Sequence, residues 1–106
     1  MHKPKVLIVD DEVTNLKLLK EILQDEYMLA LVKDGTEALR RAVDLPDLIL
    51  LDIMMPKMDG FSMLRSLSHN PDFQSIQIIT TNKIHLLHGL FSDFLKLLSQ
   101  LLFSFI

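Results

Sequence analysis

Short apolar runs alternate along the chain with longer stretches in which apolar residues recur every three or four positions. Lys5 to Val9 carries a continuous apolar run rich in β-branched residues, and two acids, Asp10 and Asp11, end it. Such a run fits a strand buried on both faces. From Val13 to Leu23 the residues Val13, Leu16, Leu19, Ile22 and Leu23 recur with polar residues between them, which predicts an amphipathic helix. Tyr27 to Val32 predicts a second strand, Asp34 and Gly35 a turn, and Ala38, Leu39, Ala42 and Val43 a second helix. Proline disfavours helical geometry in the residue before it, so Leu45-Pro46-Asp47 stops that helix. Leu48 to Leu51 is then a third wholly apolar strand, running straight into Asp52.

The segment Ile53 to Gly60 contains Pro56 and Asp59-Gly60 and reads as a loop. Phe61, Leu64 and Leu67 predict a third helix that ends near His69-Asn70-Pro71, and Ser75 to Thr81 predicts a fourth strand. Beyond Asn82, Leu87, Leu90, Phe91, Phe94, Leu97, Leu98, Leu101 and Phe105 hold a helical period over several turns and predict one long helix. Strands alternating with helices imply right-handed crossovers and a parallel sheet covered on both faces. The fold class is therefore α/β.

Composition narrows the class. The chain has 106 residues, no cysteine, 24% charged and 49% hydrophobic residues, which fits one globular domain with a core of its own and neither disulfides nor thiolate metal sites. A formal net charge of −3 and the lack of a basic stretch give no footprint for nucleic acid, so no DNA contact is expected. The first residues carry a five-residue apolar run followed at once by acids, unlike a secretory signal. The expected compartment is the cytoplasm. The composition breaks once, where the segment from Ile84 to Ile106 holds only Asp93 and Lys96 as full charges.

The candidate chemistry lies in the acids. In an open parallel sheet, sites form outside the carboxyl ends of the strands, and Asp10, Asp11 and Asp52 all follow predicted strands. Taken singly, Asp10-Asp11 reads as a solvated turn or helix cap, and Asp52 as a loop residue. Taken together, three carboxylates on neighbouring strand ends repel one another unless protonated or neutralised. A hard divalent cation resolves that repulsion, and all-carboxylate donors without Cys or His favour Mg²⁺ or Mn²⁺ over Zn²⁺. Asp52 would then be a nucleophile able to form an aspartyl phosphate.

The stretch VLIVDDE, followed by LPDLILLDIMMPKMDGFSML, resembles the response-regulator receiver family over about residues 4 to 81. The resemblance implies a flavodoxin-like doubly wound parallel sheet, here of four strands with the fifth missing. It implies that Asp52 is the phosphoacceptor, that Asp11 is a direct Mg²⁺ ligand, that Asp10 assists through water, and that the backbone carbonyl of Met54 completes the metal site. Pro56 and Gly60 match structural positions of the loop. The implied partner is a sensor histidine kinase or a phosphotransfer protein, and the implied role is phosphoacceptance in a phosphorelay rather than enzymatic turnover of a substrate.

The match weakens after residue 81. The family places a Thr or Ser at the end of the fourth strand; usual spacing lands on Asn82, with Thr81 and Thr80 beside it, and Thr81 is the chosen switch hydroxyl. The family's fifth-strand Lys, usually followed by Pro, has no counterpart, because after Lys83 the only lysine is Lys96, followed by Leu97. Lys57 and Lys83 read as solvated surface residues. Residues 1–82 are thus read as a receiver core and 83–106 as an atypical amphipathic helical tail. That tail is expected to pack on the sheet, with self-association and a membrane-surface contact as alternatives. No membrane span is expected, since Gly89 to Ile106 is short and carries Asp93 and Lys96 near its middle. His85 and His88, one helical turn apart, read as surface residues. A receiver that has lost phosphorylation and acts by protein binding is the second functional reading. A haloacid-dehalogenase-like phosphatase is the third, opposed by Met54 where that class carries a second Asp.

Overall fold

In a computed structural model of the chain, residues 3–52 and 60–81 are described. They form strand β1 (Lys5–Val9), helix α1 (Val13–Leu23), β2 (Met28–Val32), α2 (Gly35–Ala42), β3 (Leu48–Asp52), α3 (Gly60–His69), a 3-10 turn at Pro71–Phe73 and β4 (Gln77–Thr81). The four strands are parallel and lie in the order β2-β1-β3-β4, the flavodoxin-like arrangement in which the strand order switches beside β1.

The wholly apolar runs become strands covered on both faces because each successive side chain points to the opposite side of the sheet. Val6, Ile8, Leu48 and Leu50 join Leu16, Leu19, Leu23 and Tyr27 in one core layer, under α1. Leu7, Val9, Ile49 and Leu51 join Ala38 and Ala42 of α2 and Met63 and Leu67 of α3 in the other. All five residues of β3 are buried.

Several boundaries differ from the sequence reading, each for a local reason. Asp34 and Gly35 are a helix start instead of a separate turn: the Asp34 side chain accepts a hydrogen bond from the Glu37 amide at 2.8 Å, and Gly35 is the first helical residue. Tyr27 precedes β2 because its N–H closes the end of α1, donating to the Leu23 carbonyl at 3.0 Å. Ser75 and Ile76 precede β4; the N–H of Ile76 donates back to the Phe73 carbonyl at 3.2 Å. Past the end of α2, Leu45 takes a positive φ of 53° and its N–H donates to the Ala42 carbonyl at 2.9 Å. This is the left-handed residue with which helices commonly stop, occupied here by leucine.

Candidate functional site

Val9 of β1 is paired with Leu51 of β3, so the next residues, Asp10 and Asp52, stand side by side at the carboxyl edge of the sheet. The Asp10 amide continues the ladder on its other side by donating to the Val32 carbonyl at 3.1 Å. Strand alternation gives both acids the parity of Val6, Ile8, Leu48 and Leu50, the residues that face α1. Asp10 is 4% exposed and Asp52 1%, while Asp11 is half-buried. One carboxylate oxygen from each of the three lies within 4.8 Å of those of the other two.

The loop between β1 and α1 holds Asp10 firmly. Its Oδ1 accepts from the Glu12 amide at 2.9 Å, an Asx-type turn, and its Oδ2 accepts from the side-chain amide of Asn15 at 3.2 Å. The same Asn15 nitrogen donates to Glu12 Oε2 at 3.0 Å. Glu12 also supplies the N-cap position of α1, its carbonyl accepting from the Leu16 amide at 3.1 Å. Asn15 is the site residue that the sequence reading passed over. That reading put Val13 on the inward face of α1, whereas Val13 is 43% exposed and Asn15 only 4%. The signal was present: Asn15 stands four residues before Leu19 and eight before Leu23, a polar side chain in an apolar stripe at helical spacing.

The donor set suits a hard cation. Three carboxylates converge with no Cys or His among them, and two of the three are buried where solvent screens their repulsion poorly. The residues present therefore fit Mg²⁺. Thr81 ends β4 directly opposite Asp52 in the strand register, and Thr80, opposite Leu51, is exposed. Met54, Pro56, Lys57, Lys83, His85, His88 and the whole 83–106 tail lie outside the described residues.

With that geometry in place, likeness to known proteins becomes informative. The model of the response regulator receiver domain matches residues 6–88. Response regulator PleD of Caulobacter vibrioides is 44% identical over 77 residues, covering 71% of this chain and 17% of PleD. The chain thus spans about a sixth of that relative's length. Among solved structures, the signal receiver domain of a histidine kinase from Syntrophus aciditrophicus is 40% identical with a TM-score of 0.65, covering 73% of this chain and 60% of that one. The receiver domain of sensor histidine kinase PA1611 from Pseudomonas aeruginosa, solved with a magnesium ion coordinated in its active site cleft, gives a TM-score of 0.71 at 28% identity over 90% of this chain and 79% of that one.

Proposed function

The chain belongs to the response regulator receiver domain family, and from that premise we propose that it accepts a phosphoryl group on Asp52 from a phosphohistidine of a sensor histidine kinase or phosphotransfer protein. The observation that carries this reading is the convergence of Asp10, Asp11 and Asp52 within 4.8 Å. Asp11 and Asp52 would hold Mg²⁺ through direct oxygens, with the Met54 carbonyl as a further donor. Asp10 has both oxygens engaged by protein donors, which suits a water-mediated role. When bound, the cation neutralises the cluster and the charge of the phosphoryl group in transfer.

In the transfer, an oxygen of Asp52 bonds to phosphorus while the phosphorus–nitrogen bond of the donor breaks. The electron pair of that bond stays on the imidazole nitrogen, and an acyl phosphate remains on Asp52. Thr81, opposite Asp52 in the register, is the residue assigned to sense the new group through its hydroxyl. The chain is a phosphoacceptor, assisting its own phosphorylation and dephosphorylation, and it works in the cytoplasm with its kinase. Among the described residues no helix is long and apolar enough to cross a membrane.

Incubation with acetyl phosphate and Mg²⁺ tests the reading. Wild type should acquire a label that is both acid- and base-labile, and Asp52→Asn should acquire none. Undiminished labelling of Asp52→Asn would move the acceptor elsewhere. One observation favours the second reading, a degenerate receiver that works by protein binding: between Lys83 and Ile106 no lysine is followed by proline, the pattern that in the family supplies a cationic partner to a phosphoryl oxygen. A folded, Mg²⁺-binding wild type that takes no label would establish that reading.

A further inference from the structure

We propose that Asn15 is a positioning residue of the metal site, acting through Asp10. This rests on the reading of the acidic cluster as a Mg²⁺ site. Asn15 is 4% exposed on the first turn of α1, a buried polar side chain among the apolar residues Leu16, Leu19 and Leu23 of the same helix. Its side-chain nitrogen bridges two carboxylates, Asp10 Oδ2 at 3.2 Å and Glu12 Oε2 at 3.0 Å.

The bridge has two consequences. It fixes the second oxygen of Asp10, whose first oxygen is already fixed by the Glu12 amide, so the carboxylate cannot turn about its own axis without losing a hydrogen bond. A carboxylate held in this way would present a fixed acceptor to a metal-bound water without first paying the entropy of being ordered. The bridge also ties the exposed Glu12 carboxylate to α1 through the same nitrogen that holds Asp10. Asn15 supplies both without adding charge. An aspartate there could not donate, and an aliphatic residue would leave two neighbouring carboxylates without the donor that joins them.

The test is a Mg²⁺ titration of the full chain followed by amide chemical shifts, with urea unfolding in EDTA as the separate measure of folding. Wild type, Asn15→Ala, Asn15→Ser and Asp11→Ala are compared. Outer partners of metal ligands typically set affinity by about 10- to 100-fold, and Asn15 acts one step further out through Asp10, which points to the lower end of that range. Asn15→Ala should therefore bind Mg²⁺ about tenfold more weakly, with Asn15→Ser, which keeps one donor, between it and wild type. If Asn15→Ala does not fold, a weakened affinity in Asn15→Ser carries the same conclusion, and an unchanged one overturns it. An Asn15→Ala protein that loses stability yet binds Mg²⁺ as wild type does would make Asn15 merely structural and overturn the proposal alone. Equal binding by wild type and Asp11→Ala would overturn the metal reading and this inference with it.

Discussion

Asp52 carries a conflict that the metal-free chain must bear. It is 1% exposed, and it shares a 4.8 Å cluster with two other acids, so its charge is desolvated and repelled at once. Replacing it by asparagine, which keeps the shape, removes the charge. In EDTA, Asp52→Asn should be more stable than wild type by about 1–3 kcal/mol in urea unfolding. Saturating Mg²⁺ should stabilise wild type and leave Asp52→Asn nearly unmoved, since binding to the folded state alone adds about 2.7 kcal/mol at a hundred times Kd. A less stable Asp52→Asn in EDTA would show that the carboxylate is held by more than it costs. Leu45 stores strain of another kind, a left-handed φ of 53° on a residue 51% exposed. Left-handed geometry costs a residue with a Cβ about 1–2 kcal/mol. Asparagine tolerates it better, and Leu45→Asn should raise the urea midpoint by an amount equivalent to about 0.5–1 kcal/mol.

At the scale of elements, α2 depends on its first turn. The Asp34 side chain satisfies the Glu37 amide, and Asp34→Ala should cost about 1 kcal/mol of stability, measured by urea unfolding, with no effect on Mg²⁺ affinity. The same residue shows where sequence and structure part. Asp34-Gly35 reads as a turn because both residues favour one, and only the hydrogen bond to Glu37 reveals a cap. The strands were plain in the sequence because a parallel sheet with two covered faces demands unbroken apolar runs, and Leu48 to Leu51 has no other use. Asp10, Asp11 and Asp52 were legible for a related reason: acids that interrupt such runs mark strand ends, and strand ends gather at one edge. Asn15 was harder to see, because its neighbours Val13 and Leu16 both compete for the inward face, and one turn of a helix cannot decide between them. Met63 was likewise passed over for Leu64, although Met63 is fully buried and Leu64 only partly so.

At the scale of the whole molecule, the described residues form two core layers divided by one sheet. Ile22 packs into the layer under α1 and Ile76 into the layer under α2 and α3. A lost methyl on one side has the sheet between it and the other, so the effects should be independent. Ile22→Val and Ile76→Val should each cost about 0.5–1.5 kcal/mol, and the double variant should equal their sum within about 0.5 kcal/mol. A larger discrepancy in urea unfolding would mean that the sheet transmits repacking between its faces.

The strand order also dictates how the chain can assemble. β1 lies between β2 and β3, with Lys5 beside Met28 on one side and Val6 beside Leu48 on the other. The first of these four strands to be synthesised is thus an interior strand, and one of its edges waits for β3, whose residues follow only after α1, β2 and α2. Until β3 arrives, Val6 to Val9 is an apolar edge of unpaired amides and carbonyls, the kind of template on which other chains add. Fragments that stop before residue 48 should therefore precipitate or bind holdase chaperones, and those extending through β4 should not.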